Sequence, residues 1–232
     1  MIRHVPIVCI AAALTSAALI LPTSGVAAQG WQITNRNSPM ITGSGRVTQQ
    51  ARPVGAFRRI ETVGSETVQV RFGPRPSLVI AADDNILPLI TTEVRNGTLR
   101  IGSRGSFRMR GPIRVQITTS ALDHYGSTGS GNVAIDGVNT DRLSLVLSGS
   151  GDIRATGRAR ELKLTINGSG RAALEKLVTQ QASVALHGSG DASVRPTSSL
   201  DAQVFGSGTI RYWGSPQVRQ QRFGSGQIVA VR

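Results

Sequence analysis

The sequence contains a single cysteine, Cys9, in 232 residues. Cys9 lies inside an apolar run near the N-terminus, Val5 to Leu21. A chain that begins after this run has no thiol, which excludes a disulfide framework, a thiolate metal site and a cysteine nucleophile. Such a fold must be stabilised by burial of apolar side chains and by hydrogen bonds.

Acidic residues and histidines are also scarce. The chain has 13 acidic residues against 26 basic ones, a formal net charge of +13, and 3 histidines. His124 and His187 follow the apolar run, and neither has sequence neighbours that would complete a zinc site. No nucleophile elbow and no phosphate-binding loop is present. The excess of positive charge favours anionic partners.

The first 28 residues have the three parts of a secretory signal peptide: a charged start at Arg3, the apolar run, and small residues at 26–28. The alternative is a transmembrane anchor, which needs roughly 20 predominantly apolar residues. This run is shorter and meets Pro22. We therefore predict a signal peptide over 1–28 and an exported protein, either periplasmic or at the cell surface, with no later membrane span.

The triplet Gly-Ser-Gly recurs in the second half of the chain at intervals of 20, 19, 20, 18 and 18 residues. Flexible linkers have no reason to keep such a period. A corner with glycine on both sides permits backbone angles that a β-carbon forbids, and it lets neighbouring coils approach closely. The predicted corner glycines are Gly129, Gly131, Gly149, Gly151, Gly168, Gly170, Gly188, Gly190, Gly206, Gly208, Gly224 and Gly226.

Apolar residues keep phase with these triplets. Leu143, Leu145 and Leu147 alternate with polar residues before one triplet, and the alternation resumes after it up to a second turn. A period of two indicates a strand with one buried face. Units of this length cannot each bury a core alone, so they stack with about 4.8 Å between coils. We predict an all-β fold, a parallel β-solenoid with short strands and about 18–20 residues per repeat.

The chain before the triplets is less regular. Residues 29–54 are polar and are predicted to form a loosely ordered lead-in. Residues 55–128 are predicted to form atypical solenoid coils and a cap, with a degenerate corner at 63–68 and a hairpin at Asn96-Gly97. Asp83-Asp84-Asn85 is interpreted as a turn. The regular repeats are predicted to occupy 129–232.

A run of arginines is the candidate site for an anionic ligand, because the guanidinium group suits phosphate, sulfate and carboxylate. No acidic residue lies between Val94 and Leu122. The alternative is a solvated loop with an arginine-biased composition. A second acid-free region runs from Ala202 to the end of the sequence. The candidate residues of the first run are Arg95, Arg100, Arg104, Arg108, Arg110 and Arg114.

The chain resembles the auto-transporter adhesin head family, also called the head GIN domain. The residues that carry the resemblance are Phe57 with Ile60, the turn at 83–85, the segment at 96–99 and the Gly-Ser-Gly coils. The resemblance implies a right-handed parallel β-solenoid outside the cytoplasm and, by the family's name, adhesion. It implies no catalytic residues.

These observations predict a non-enzymatic binding, adhesion-like or structural module of the cell envelope. Its expected partners are anionic envelope polymers, such as lipopolysaccharide or acidic glycans, with no specific nucleic acid. No cofactor or metal is expected, because Asp follows only two of the six triplets whereas a calcium repeat has a nine-residue period. The alternative is a lyase or hydrolase that acts on polysaccharides from the face of a β-helix, which would need clustered carboxylates.

Overall fold

The computed structural model describes residues 40–232. The predicted signal peptide, 1–28, and residues 29–39 of the predicted lead-in lie outside the described residues. The described part is an all-β fold whose coils stack in parallel, as the repeats predict. Within it, no helix is long and apolar enough to cross a membrane.

Seventeen strands and one short 3-10 helix, η1, follow one another along the described chain. The elements are β1 Ile41–Thr42, β2 Val47–Arg52, β3 Arg59–Gly64, β4 Thr67–Phe72, β5 Ser77–Asp83, η1 Leu87–Leu89, β6 Ile90–Arg95, β7 Thr98–Ser103, β8 Phe107–Arg108, β9 Arg114–Thr119, β10 His124–Gly129, β11 Asn132–Gly149, β12 Asp152–Gly168, β13 Arg171–Gly188, β14 Asp191–Gly206, β15 Thr209–Trp213, β16 Gln217–Phe223 and β17 Gln227–Val231.

The core consists of columns of apolar side chains that run from coil to coil. Leu145 pairs with Leu164, and Leu164 with Val184, in a parallel register, and all three are buried. The alternation in the sequence therefore predicts the inward face correctly. Strands β11 to β14 run without a break through the predicted second turn, where the register shifts instead.

The register shifts create a further inward position that alternation alone does not reveal. Val138, Ala159, Thr179 and Pro196 occupy this part of the coils and are buried. Because a bulge displaces the period of two, Val138 is out of phase with Ile135 and Thr179 with Leu174, whereas Ala159 and Pro196 keep the phase of the residues before them. The solenoid therefore has a third buried side between the second turn and the next run of alternating residues.

The Gly-Ser-Gly corners join consecutive coils by hydrogen bonds. The amide of Ser169 donates to the carbonyl of Gly149 at 3.0 Å, and the amide of Ser189 donates to Gly168 at 3.0 Å. Gly168 has a φ of +126°, and a Cβ on it would lie 2.5 Å from the carbonyl oxygen of Gly149. Both backbone angle and stacking distance therefore require glycine at this position.

The first corner of the stack is Gly64-Ser65-Glu66, the degenerate corner that the sequence predicts. Gly64 pairs with Gly129, and the amide of Ser130 donates to the Gly64 carbonyl at 3.2 Å. Glu66 stands where later corners have their second glycine. Its side chain folds over Gly64, because an added Cβ there would lie 2.5 Å from Glu66 Oε1.

Antiparallel strands cover the N-terminal end of the stack. The hairpin β6–β7 turns at Asn96-Gly97, whose φ angles are 51° and 70°, so the predicted hairpin is confirmed. Strand β5 pairs antiparallel with β9 and with β2. The prediction of a loosely ordered lead-in is wrong at Val47–Arg52, because β2 is held by its main-chain pairing with β5 and does not need an apolar pattern.

The first corner contains a buried carboxyl group, that of Glu66. Glu66 is 4% exposed, and Tyr125 is fully buried with its hydroxyl 3.2 Å from Thr62 Oγ1. Burial raises the pKa of the Glu66 carboxyl above its ordinary value of 4.5, and a hydrogen bond to its own amide partly offsets the rise. Burial also raises the pKa of Tyr125, and the charge of Glu66 adds to that rise.

The corner geometry predicts that glycine matters far more than serine. Gly168→Val should destabilise the protein by several kcal/mol, about 3 or more, because it combines a strained φ with a backbone clash. Ser169→Ala should cost less than about 1 kcal/mol, since the hydroxyl offers at most one net hydrogen bond. Chemical unfolding followed by circular dichroism measures both. Equal losses at the two positions would contradict the geometry.

The buried Glu66 predicts a stability that depends on pH. Because burial raises the pKa of the Glu66 carboxyl, the folded protein keeps a proton that the unfolded chain releases at pH values between the ordinary pKa and the raised pKa. The free energy of unfolding is therefore highest below the ordinary pKa and falls as the pH rises through the raised pKa. Glu66→Gln should therefore be more stable than wild type at neutral pH and equal to it in acid. Thermal melts across the acid range measure this difference.

The matched control is Glu61→Gln, on the preceding strand β3, whose side chain lies outside the core. Glu61 is an exposed partner of Arg100, with Oε2 3.0 Å from Arg100 Nε. Its replacement removes a surface ion pair and should give no gain at neutral pH. If Glu66→Gln also gave none, Glu66 would not be a buried charge.

Candidate anion-binding surface

The six candidate arginines do not form one patch. Arg95 and Arg100 lie on the hairpin β6–β7, and Arg114 lies on β9 at an exposed position. The other three, Arg104, Arg108 and Arg110, lie on the segment that connects β7 to β9 and are exposed. The run that is continuous in sequence is therefore divided among three parts of the N-terminal cap.

Two of the six arginines already have carboxylate partners. Arg95 Nη2 lies 2.7 Å from Glu93 Oε1, and Arg100 Nε lies 3.0 Å from Glu61 Oε2. Glu61 comes from β3, which pairs in parallel with β7. A neighbouring strand thus neutralises part of a segment that has no acidic residue of its own.

The segment from 104 to 111 is anchored to the cap by its backbone. Strand β8 pairs in parallel with β1, and the amide of Gly43 donates to the Arg108 carbonyl at 2.8 Å. The amide of Arg110 donates to Asp83 Oδ2 at 3.2 Å, and Asp83 is 2% exposed. These bonds hold the main chain while the guanidinium groups of Arg104, Arg108 and Arg110 extend into solvent.

The turn at 83–85 supports the same region. Asn85 Oδ1 accepts from the Ser44 amide at 2.9 Å, and Asn85 Nδ2 donates to the Thr42 carbonyl at 2.8 Å. The Ser44 hydroxyl donates to Asp84, and this bond, with the nearby charge of Arg46, lowers the pKa of the Asp84 carboxyl. The predicted turn is confirmed, and its side chains hold the loop at 43–45 by hydrogen bonds.

Arg52 is a positioned cation that the sequence analysis missed. Its guanidinium donates to the carbonyls of Ile90 at 2.6 Å and Leu87 at 2.9 Å, and to Thr92 Oγ1 at 3.2 Å. Its Nε donates to Gln50 Oε1 at 3.1 Å. All of these acceptors are neutral, and Arg52 forms no ion pair with any other residue in 40–232. Its positive charge is therefore fixed in place without a counter-charge.

Arg52 and Arg104 line one open groove of about 620 Å³ beside η1. Leu87, Pro88 and Ile90 give it an apolar wall, and Asp84 is its single acidic residue. Asp84 is engaged by Ser44 and lies 3.6 Å from Arg46, so it does not neutralise Arg52. An open groove with a fixed guanidinium, an apolar wall and the exposed Arg104 suits a segment of an anionic polymer.

The alternative function, chemistry on a polysaccharide, needs carboxylates that share a groove. Glu161 and Asp201 line a groove of about 580 Å³ on the regular coils. Glu161 Oε2 accepts from Arg142 Nε at 3.1 Å, so its carboxylate is already paired with an arginine of the neighbouring coil. Within residues 40–232, no three His, Cys, Asp or Glu side chains gather in a way that could hold a metal ion.

Parallel coils with glycine corners, capped by antiparallel strands, define a parallel β-solenoid. The chain belongs to the family described as "Putative auto-transporter adhesin, head GIN domain", whose model matches residues 56–216. The matched range begins at the entry to β3 and ends just before β16. None of the curated proteins matches the chain.

Solved structures share the fold. A putative adhesin from Bacteroides fragilis is 25% identical, with a TM-score of 0.69, over 82% of this chain and 100% of that one. A putative lipid binding protein from Parabacteroides distasonis is 23% identical, with a TM-score of 0.58, over 83% of this chain and 100% of that one. A putative adhesin from Parabacteroides merdae is 18% identical, with a TM-score of 0.50, over 83% and 99%.

Proposed function

We propose that the protein is an exported, non-enzymatic binding module of the cell envelope that holds anionic polymers, such as lipopolysaccharide or acidic glycans, at its N-terminal cap. The observation that carries the proposal is Arg52, whose guanidinium is fixed by neutral acceptors in an open groove that Arg104 also lines. A fixed cation without a counter-charge is ready to pair with an anionic group.

The surroundings of Arg52 support a polymeric ligand. Arg104, Arg108 and Arg110 are exposed on one short segment, so several anionic groups along a chain would meet several guanidinium groups. The formal net charge of +13 adds a long-range attraction for polyanions. The family's adhesin name and the adhesin names of two structural neighbours are consistent with a binding role.

The export part of the proposal depends on the three-part pattern of residues 1–28. The non-enzymatic part depends on the site itself. Asp84 is the single carboxylate that lines the cap groove, whereas glycoside hydrolysis uses a pair of carboxylates. The lining of the groove therefore favours holding a polyanion over cleaving it.

The test is the triple variant Arg104→Gln, Arg108→Gln, Arg110→Gln. Binding of polygalacturonate and of lipopolysaccharide should fall roughly tenfold or more, since three exposed charge contacts of about 0.5 to 1 kcal/mol each are lost. Wild-type binding should weaken steeply with added salt, because exposed charges are screened over about 8 Å at physiological ionic strength. Isothermal calorimetry at two salt concentrations measures both effects. The melting temperature should stay within a few degrees, since the three side chains are exposed.

The matched control is the double variant Arg95→Gln, Arg100→Gln, whose arginines already pair with Glu93 and Glu61. It should keep most of the binding. Equal binding by the triple variant and wild type, or binding that ignores salt, would make the arginine segment a solvated surface. Turnover of the polysaccharide, abolished by Glu161→Gln or Asp201→Asn, would establish the enzyme instead.

A further inference from the structure

The C-terminal end of the solenoid exposes apolar side chains that the middle coils do not. In the described chain, large apolar residues that are exposed occur only toward the two ends. Those of the N-terminal part are Met40, Ile41, Val47 and Val63, and those of the C-terminal end are Phe205, Val218, Phe223 and Val229. Phe223, at 59%, is the most exposed of the C-terminal four.

In the last coil, polar residues occupy positions that are apolar in the core of the preceding coil. Ala202 pairs with Gln220, and Val204 with Arg222, so polar side chains take over two inward columns where the stack ends. All seven residues of β16 are exposed, and β16 pairs only with β14 among the described strands. The end of the core is thus closed by polar groups, while an aromatic side chain is placed on the outside.

The outside aromatic belongs to an ordered column. The residue before each corner is His187, Phe205 and Phe223 on the last three coils, in register. The rings of His187 and Phe205 are stacked with centroids 5.0 Å apart and planes 1° apart, and those of Phe205 and Phe223 are 5.0 Å and 5° apart. The coil spacing therefore fixes the rings in one orientation before any partner arrives, which reduces the entropy lost on binding.

The charge at this end has one sign. From Ala202 to the last residue there is no Asp or Glu. Arg211 lies 3.8 Å from Asp191, but Arg219 and Arg222, on the same strand as Phe223, form no ion pair with other residues in 40–232. On the outward side of the last coil, the exposed rings thus occur with Arg219, and Arg222 ends the inward column of Val204 at the same end of the stack.

Charge decides which occupant fits this surface. A second copy docked head to tail would bring Arg219 and Arg222 toward the cap, which exposes Arg104 and Arg108, and like charges oppose that contact. An anionic bilayer matches both features, because aromatic rings favour the headgroup region and arginines pair with lipid phosphates. We propose that the C-terminal end docks on an anionic lipid surface, with Phe205 and Phe223 inserted at the headgroup level and Arg219 and Arg222 on phosphates.

The test is co-sedimentation with vesicles of phosphatidylcholine, either alone or mixed with phosphatidylglycerol. Wild type should bind the mixed vesicles much better than the neutral ones. Arg219→Gln with Arg222→Gln should weaken binding to mixed vesicles roughly 20- to 30-fold, as about 1 kcal/mol per arginine predicts. Phe223→Ser should weaken it on the order of tenfold. All proteins carry the same residues 1–39, so that segment cannot cause a difference between them.

The matched control is Val63→Ser, an exposed apolar residue of the same column at the other end. It should bind mixed vesicles like wild type. Equal binding to neutral and mixed vesicles, no binding by wild type, or unchanged binding by the C-terminal variants would overturn the proposal. A change of oligomeric state in Phe223→Ser, with vesicle binding unaffected, would assign the surface to a second copy.

This proposal and the proposed function fail separately. The C-terminal variants should keep wild-type affinity for polygalacturonate, because the cap groove is untouched. Loss of polysaccharide binding in the cap variant alone, or loss of vesicle binding in the C-terminal variants alone, would leave one site established without the other.

Discussion

The structure depends on the close approach of the backbone at the glycine corners. In the corners from Ser130 to Ser207, the serine amide donates to a glycine carbonyl of the preceding coil, at 3.0 Å for Ser169 and 2.9 Å for Ser207. A side chain on Gly170 would lie 2.6 Å from the Gly151 carbonyl and from Leu147 Cδ2, so any larger residue separates the coils. Because the spacing of the coils determines which residues lie above one another, the contact between glycine corners also positions the core residues and the surface residues.

The same constraint explains why the candidate sites lie at the ends. In the middle coils, each side chain has a neighbour above and below, and outward positions are filled by small or polar residues such as Ser148 and Asn167. Where stacking ends, a position no longer has to match the next coil. Glu66 replaces a glycine in the first corner, and Gln220 replaces a core residue in the last coil. Arg52 and Phe223 also lie at the two ends of the stack, where one of the two neighbouring coils is absent.

Much of the fold is predictable from sequence because it is periodic. The corners, the column through Leu164 and the hairpin at Asn96-Gly97 all follow from local patterns. The groove does not, since Arg52 meets η1 through contacts with residues more than 30 positions away. The stack of His187 on Phe205 depends on registering one coil against the next. For the same reason, the sequence did not show that Glu61 neutralises Arg100.

Hydrogen exchange of the corner amides measures whether the glycine corners hold neighbouring coils together. If the corners are inter-coil hydrogen bonds, the amides of Ser150, Ser169 and Ser189 should be protected to the same degree as the core strands, although their side chains face solvent. Amides on the open edge of β16 should exchange much faster. Corner amides that exchanged as fast as those of exposed loops would show that the triplets are linkers, and the stacked-corner account would be contradicted.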